Sequence, residues 1–302
     1  MSTILSTVRS RSKTILSEIK ASTTATSSHD FFITYSRNLN VWPNKANAAC
    51  NILVLDSSFN PPTLAHRALL TESLASFPKD YFDASIVLFS TRNVDKQLTG
   101  ASVLQRAQMM EIMARQFGDT TNSINTSTKA LENIAVALTP HGRFIDKSIH
   151  IQTFFKHQFD ANVTIKLYFI MGFDTITRFL DPVYYPEGRD TALEPFFRHS
   201  HLICADRPGS GNDNAEVFWS ERQKEEEGLG TGTGTEAVSC PYNTKKITRI
   251  KLENRVSCLS STLARNKIKQ SYSTKDTTGL EEILDKDIIQ FIYYEDLYKG
   301  GC

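Results

Sequence analysis

Two short segments of the chain combine residue types that bind phosphate groups. The first reads Leu53-Val-Leu-Asp-Ser-Ser-Phe-Asn-Pro-Pro-Thr-Leu-Ala-His66, an apolar run followed by a polar turn and a histidine. This pattern predicts a strand, a tight turn and a helix, and the N–H groups of such a turn and helix start favour an anion. A phosphorylated ligand is therefore the expected occupant, with His66 beside it as a hydrogen-bond donor.

The second segment lies much later in the chain and reads Cys258-Leu-Ser-Ser-Thr-Leu-Ala-Arg265. Ser260, Ser261 and Thr262 are typical of a helix start, so one interpretation is helix capping alone. The other is a second phosphate site, in which hydroxyl and N–H groups face the anion and Arg265 contributes a forked cation. The presence of both segments, in this order, favours the second interpretation.

This pair of segments resembles the nucleotidylyltransferase superfamily, whose first motif reads G-x-F-x-P-x-[HT]-x-x-H and whose last reads I-S-S-T-x-x-R. Within it, Ser58-Phe-Asn-Pro-Pro-Thr63 and Leu259-Ser-Ser-Thr262 resemble the nicotinamide mononucleotide adenylyltransferases. A fungal branch of these is similar in Leu55-Asp-Ser-Ser-Phe-Asn-Pro-Pro62 and Gly172-Phe-Asp-Thr-Ile176. The likeness extends over roughly residues 50–300, so it does not depend on one short pattern.

The resemblance implies an ATP site formed by both segments and by a G-x-D motif that holds the nucleotide ribose. The residues of this site are Ser57, Ser58, Phe59, Thr63, His66, Gly172, Asp174, Ser260, Ser261, Thr262 and Arg265. Ser57 and Ser58 would provide backbone N–H donors, and Phe59 would anchor the turn in the core. His66 and Arg265 are the implied catalytic residues, because they would stabilise charge on the leaving phosphates.

The resemblance also implies where the acceptor nucleotide binds. The acceptor residues are Asn93, Lys96, Tyr184, Tyr185 and Arg207. Lys96 suits a monophosphate, and the two tyrosines stand where many members have a tryptophan that stacks on the cationic nicotinamide ring. Arg207 begins an Arg-Pro-Gly turn, for which an ordinary turn is the alternative interpretation.

Two positions depart from the family pattern. Ser57 stands where the family has a glycine before Ser-Phe, and Ala65 stands where it has a glycine before the histidine. Glycine allows a close backbone approach, so either replacement could narrow the pocket or slow the reaction. Thr63 in place of a histidine is an alternative that the family itself uses.

The implied reaction is adenylyl transfer from ATP to nicotinamide mononucleotide, giving NAD and pyrophosphate. The chain would position both nucleotides and neutralise charge, and Mg²⁺ would arrive with ATP, because no carboxylate cluster predicts a metal site made by the protein. The alternatives are a different phosphorylated acceptor, including nicotinate mononucleotide, and an ATP-binding or ATP-hydrolysing regulatory protein that makes no NAD. A class I aminoacyl-tRNA synthetase relative is disfavoured by the lack of a Lys-Met-Ser-Lys-Ser loop.

Predicted strands and helices alternate along the chain, and together they must position these residues. Strand-like runs are Asn51–Asp56, Ala84–Ser90, Ile134–Thr139, Val163–Met171, His201–Ala205 and Ile247–Leu252. Helix-like stretches are Leu64–Phe77, Val103–Phe117, Ile145–Phe159, Thr175–Leu180, Ser261–Gln270 and Lys286–Leu297. Apolar strands separated by helices predict an α/β fold, a doubly wound, Rossmann-like parallel sheet in a single domain. Its ligand is expected outside the C-terminal ends of the strands.

Composition narrows the remaining classes. The chain has 302 residues, a formal net charge of +1 and five cysteines without Cys-x-x-Cys spacing. These features favour a globular protein with reduced thiols and no nucleic-acid or membrane surface, and they leave a homo-oligomer open. We expect it in the cytoplasm or nucleus, with the mitochondrion as the alternative.

The predicted domain covers residues 49–302 and contains a disordered insertion at 209–246, which is too polar to form a core. Residues 1–48 are predicted to form an N-terminal helix over Ile4–Ile19 and a Ser/Thr-rich linker. A mitochondrial targeting segment is the alternative, because the first residues are basic and rich in Ser and Thr.

Overall fold

A computed structural model describes residues 2–24, 30–37, 42–44, 49–91, 100–117, 128–159, 163–206, 215–220 and 246–300. Its strands are β1 (Phe32–Ser36), β2 (Ala49–Asp56), β3 (Ala84–Ser90), β4 (Ile134–Thr139), β5 (Thr164–Gly172), β6 (Ser200–Asp206) and β7 (Ile247–Lys251). They form one seven-stranded sheet in the order β1-β4-β3-β2-β5-β6-β7. Strands β2 to β7 pair in parallel, whereas β1 pairs with β4 in the antiparallel direction.

Helices cover both faces of the sheet. They are α1 (Thr3–Ser10), α2 (Ser12–Thr24), α3 (Leu64–Ala75), α4 (Val103–Gln116), α5 (Lys129–Glu132), α6 (Phe144–Gln158), α7 (Phe173–Leu180), α8 (Arg189–His199), α9 (215–220), α10 (Asn254–Ser257), α11 (Ser261–Thr274) and α12 (Lys286–Tyr294). A 3₁₀ turn at Pro182–Tyr184 separates α7 from α8. The predicted doubly wound parallel α/β sheet is therefore confirmed.

The residues of β2 show how the sheet makes two cores. Leu53 and Leu55 join the apolar cluster under α3, α4, α11 and α12, whereas Ile52 and Val54 join the cluster under α6, α7 and α8. All four side chains are almost completely buried. A strand that is apolar on both faces is what a parallel sheet with helices on either side requires, because successive side chains point to opposite faces.

The N-terminal residues add to the predicted sheet. Strand β1, which the sequence analysis did not identify, lies at the sheet edge beside β4. Leu5, Val8 and Ile15 of α1 and α2 are buried in the same core as α4. Arg11 also forms an ion pair with Glu111 of α4. The predicted helix over Ile4–Ile19 is thus two helices, α1 and α2, which pack on the sheet that β1 extends.

Most of the predicted insertion at 209–246 lies outside the described residues. Within it, the structure describes helix α9 at 215–220 and residue Lys246, which precedes β7. Among the helices described, each is too short or too polar to cross a lipid bilayer.

A partly buried histidine in β6 predicts a pH dependence of stability. The His201 ring stacks on Tyr168 of β5 with centroids 4.4 Å apart. Burial, with help from the nearby charges of Lys246 and Lys166, lowers the pKa of His201 from 6.5 to about 4. Between these values the unfolded chain takes up a proton that the folded chain does not, so the folded state loses stability as the pH falls.

We expect the free energy of unfolding of the wild type to fall by roughly 1–2 kcal/mol between pH 7 and pH 4.5 through His201, because solvent screens part of the shift. Urea unfolding at both pH values, on the wild type and on His201→Gln, measures this contribution. The glutamine variant should show a smaller pH dependence. Identical pH dependences in the two proteins would exclude His201 as its source.

Candidate functional site

A cavity of about 460 Å³ opens at the C-terminal ends of the central strands. Its lining comes from the ends of β2 and β3, from the segments after β4 and β5, and from α4 and α6. The lining residues are Asp56, Ser57, Ser58, Phe89, Ser90, Arg106, Gly142, Lys147, Thr175 and Arg178. The cavity lies where the strand order reverses, between β2 and β5. Ligands of doubly wound sheets bind at this position.

The turn after β2 is held tightly by the core. Phe59 is fully buried, and its backbone lies in the left-handed region with φ of 44°, a conformation that a bulky residue adopts only when its surroundings enforce it. Phe59 therefore lies in the core, where the sequence analysis expected it to anchor the turn. Ser58, which precedes Phe59 and lines the cavity, is exposed.

One predicted detail of this turn is wrong. The backbone N–H of Ser57, which was predicted to face the ligand, instead donates to the carbonyl oxygen of Leu88 in β3 at 3.2 Å. The bond extends the β2–β3 pairing by one residue beyond Asp56. Any contact between Ser57 and a ligand through a hydrogen-bond donor must therefore use its side chain.

His66 lies in the first turn of α3, and both of its ring nitrogens have partners. Nδ1 accepts a hydrogen bond from the N–H of Thr63 at 3.0 Å, and Nε2 lies 3.0 Å from Oγ of Ser57. Oγ1 of Thr63 also lies 2.9 Å from Nδ1, and a hydroxyl can donate there. Because a backbone N–H can only donate, we assign Nδ1 no proton, which makes Nε2–H the donor to Ser57. The His66 ring also packs on Phe59 with centroids 5.0 Å apart. His66 thus caps the start of α3 and also lies beside the turn that follows β2.

The second phosphate-binding segment, Cys258–Arg265, is hydrogen-bonded directly to the turn after β2. Oγ of Ser261 donates to the carbonyl oxygen of Pro61 at 2.7 Å, and Nη1 of Arg265 donates to that of Asn60, also at 2.7 Å. The structure therefore brings together two segments that are far apart in the chain, as a shared phosphate site would require.

The hydroxyls of the second segment mostly serve the protein itself. Ser260 caps α11 by accepting from the N–H of Leu263 at 3.1 Å, and Thr262 accepts from Nη2 of Arg265 at 3.1 Å. The first-turn N–H groups of a helix have no partner within the helix. In α11 those of Ser261 and Thr262 belong to this turn, so they are the groups that suit an anion.

Arg106 is a cavity residue that the sequence analysis did not include in the site. It is 3% exposed, and it donates to the carbonyl oxygens of Ala101 at 2.8 Å and Ser58 at 3.2 Å. Burial lowers the pKa of Arg106, and the nearby positive charge of Arg265 lowers it further, although a guanidinium stays charged. Two guanidinium groups therefore support one turn, and both favour an anionic ligand.

Lys147 and Asp56 form a buried ion pair at the cavity wall. Their side chains are 4% and 9% exposed, and Nζ of Lys147 also lies 4.8 Å from the centre of the Phe144 ring. Neither residue is among the site residues predicted from the sequence. Asp56 ends a predicted strand as a polar residue, which was the one available signal, but nothing local pairs it with a lysine in α6.

The G-x-D segment begins α7, next to the cavity residues Thr175 and Arg178. Gly172 is the N-cap of α7, and a Cβ atom added to it would lie 2.9 Å from Oδ1 of Asp174. The glycine thus leaves room for this carboxylate. The Asp174 side chain is 81% exposed and lies 3.9 Å from Arg178, so it can accept hydrogen bonds from a ligand.

The structure describes two of the five predicted acceptor residues, Tyr184 and Tyr185. Tyr184 is 59% exposed at the end of the 3₁₀ turn. Tyr185 instead donates from its hydroxyl to the carbonyl oxygen of Phe179 at 2.6 Å, and burial raises its pKa to about 12. Tyr184 is therefore the freer of the two rings for stacking. Asn93, Lys96 and Arg207 lie outside the described residues.

Comparison with known proteins places this geometry in a family. A family model described as cytidylyltransferase-like matches residues 54–267. A protein of Schizosaccharomyces pombe named "Putative nicotinamide mononucleotide adenylyltransferase" is 28% identical over 253 residues, which cover 82% of this chain and 86% of the relative.

Solved structures give the same fold. Plasmodium falciparum nicotinic acid mononucleotide adenylyltransferase complexed with NaAD aligns with a TM-score of 0.53 at 17% identity, over 83% of this chain and 98% of that one. The Plasmodium protein complexed with APC aligns over the same shares with a TM-score of 0.51 at 16% identity. At these identities the likeness is one of fold.

Proposed function

The chain belongs to the cytidylyltransferase-like family, and from this premise we propose that it transfers the adenylyl group of ATP to nicotinamide mononucleotide, giving NAD and pyrophosphate. One observation carries the proposal. The turn after β2 and the start of α11 are joined through Ser261 and Arg265, next to a cavity at the C-terminal ends of the strands. The named S. pombe relative supports the choice of substrates.

In this reaction a phosphate oxygen of nicotinamide mononucleotide attacks the α-phosphorus of ATP. The new P–O bond forms as the bond to the bridging oxygen breaks, and pyrophosphate leaves with that electron pair. No side-chain nucleophile is needed, so the chain contributes positioning and charge stabilisation. Arg265 and the first-turn N–H groups of α11 would face the leaving phosphates. Arg106 would hold the turn beneath them.

The residues that line the cavity are consistent with a Mg²⁺ ion that enters the site already bound to ATP. Among the described residues that line the cavity, the one carboxylate is Asp56, and it is already paired with Lys147. The chain therefore offers Mg²⁺ no ready ligand set there, and the phosphate oxygens of ATP would hold the ion. When bound, the ion would neutralise charge on the departing pyrophosphate.

A second candidate acceptor differs from nicotinamide mononucleotide in its pyridine substituent. The structural neighbours named above are nicotinic acid mononucleotide adenylyltransferases, which makes nicotinate mononucleotide the second candidate. The two acceptors differ in the charge of the pyridine substituent, and both would present the same attacking phosphate.

The proposal is tested with purified full-length protein, ATP, Mg²⁺ and either acceptor, with the dinucleotide product measured by chromatography. We expect dinucleotide formation, and we expect His66→Ala to lower the rate by about 10²–10³-fold, as the loss of one stabilising donor does. His157→Ala, which changes an exposed histidine near the end of α6, is the matched control and should keep the wild-type rate. Saturable ATP binding without product from either acceptor would instead favour the regulatory alternative.

A further inference from the structure

We propose that the Ser57 hydroxyl is the group that donates to a phosphate of the bound nucleotide, and that His66 acts through it. This inference rests on the proposed function and adds to it, because it names the contacting group in the site. It makes Ser57 a phosphate-binding residue and His66 a positioning residue. The first observation is the lining of the cavity, which includes Ser57 but not His66.

Two hydrogen bonds link Thr63, His66 and Ser57 in one direction. The N–H of Thr63 donates to Nδ1, Nε2–H donates to Oγ of Ser57, and each step measures 3.0 Å. Once Ser57 accepts from His66, its own hydroxyl hydrogen is free to donate outward. Within the described part of the chain, this hydroxyl makes no second hydrogen bond. The three residues therefore form a donor chain that ends at the cavity, and each bond in such a chain polarises the next.

Ser57 can donate a hydrogen bond to a ligand only through its side chain. Its N–H is already bonded to the carbonyl oxygen of Leu88, as described above. A glycine at this position would have no side chain, so no protein group would stand between Nε2 of the histidine and the ligand. The serine hydroxyl occupies that place, because it lies 3.0 Å from Nε2. A phosphate oxygen must accordingly bind one hydrogen-bond length farther from His66.

Two explanations of this serine predict opposite results for one variant. If Ser57 only narrows the pocket, Ser57→Gly should bind ATP more tightly or react faster. If Ser57 is the donor, the same change leaves a gap between His66 and the phosphate, and binding and rate should both fall. The sign of the effect therefore separates the two explanations.

The experiment compares Ser57→Gly, Ser57→Ala and Ser57→Thr in the full-length protein. Affinities for Mg·ATP and for adenosine, which has no phosphate, are measured by calorimetry, and dinucleotide formation is measured as described above. We expect both hydroxyl-free variants to bind ATP at least about 10-fold more weakly and to react on the order of 10²-fold more slowly. Adenosine affinity should stay unchanged, and Ser57→Thr should retain most of the ATP affinity, because it keeps a hydroxyl.

A double variant tests the link to His66. Because the two residues act as one unit, Ser57→Ala with His66→Ala should lose little more ATP affinity than either single change. Losses that simply add, an unchanged or improved ATP affinity in Ser57→Gly, or an equal loss for adenosine would each overturn the proposal. The affinities need no acceptor, so they test Ser57 even if the protein makes no dinucleotide, an outcome that would overturn only the proposed function.

Discussion

Arg265→Ala is expected to form dinucleotide about 10²–10³-fold more slowly than the wild type at saturating ATP. The Arg265 guanidinium donates to the carbonyl oxygen of Asn60 at 2.7 Å and to the hydroxyl of Thr262 at 3.1 Å. It therefore both ties α11 to the phosphate turn and places a positive charge beside it. Alanine removes the charge and leaves the Asn60 carbonyl without this donor, so both contributions are lost together.

Two further variants show whether the fork of the guanidinium matters. Arg265→Lys keeps the charge as a single ammonium, which cannot reproduce the planar pair of donors, so an intermediate rate is expected. Arg198→Ala changes an exposed arginine on α8 that pairs with Glu194, and it should leave the rate unchanged. Initial rates with ATP held at saturation measure the effect. A rate within about threefold of the wild type in Arg265→Ala would contradict the assigned role.

Lys147→Ala is expected to lower the free energy of unfolding by about 3–5 kcal/mol. Lys147 and Asp56 form an ion pair in which both side chains are almost completely buried. Removing the lysine leaves the Asp56 carboxylate buried without its partner, and a buried unpaired charge is costly. Urea denaturation followed by circular dichroism measures the loss.

The double variant Asp56→Asn with Lys147→Met isolates the cost of the unpaired charge. With both charges gone, much of the stability should return, because replacing a buried pair costs far less than breaking it. The exposed pair of Arg198 and Glu194 provides the comparison, and Arg198→Ala should cost less than about 1 kcal/mol. A double variant as unstable as Lys147→Ala would show that lost packing, rather than the unpaired charge, causes the effect.

The amino-acid sequence by itself determined the main elements of the sheet and the two phosphate-binding segments. Strands β2 to β7 were all recognisable, and β3 and β4 have the predicted bounds. The reason is local: a strand buried on both faces must be apolar along its length, and a turn or a helix start needs particular residues within a few positions. Such signals depend on neighbours in the chain, so they can be read without the fold.

Strand β1 shows what local signals miss. Phe32–Ser36 is short, and it becomes a strand through pairing with β4, about a hundred residues later in the chain. Edge strands of this kind depend on the partner that they meet, and propensity alone predicts them poorly.

The site itself was decided by tertiary structure. The hydroxyl of Ser57 meets His66 only because the turn folds back on α3, and the backbone N–H of Ser57 is taken by Leu88 of the neighbouring strand. Likewise, Lys147 reaches Asp56 from α6. Nothing in the sequence around these residues indicates that they contact one another. Hydrogen bonding and charge pairing act at about 3 Å in space, so only the packed fold determines which donors face the ligand.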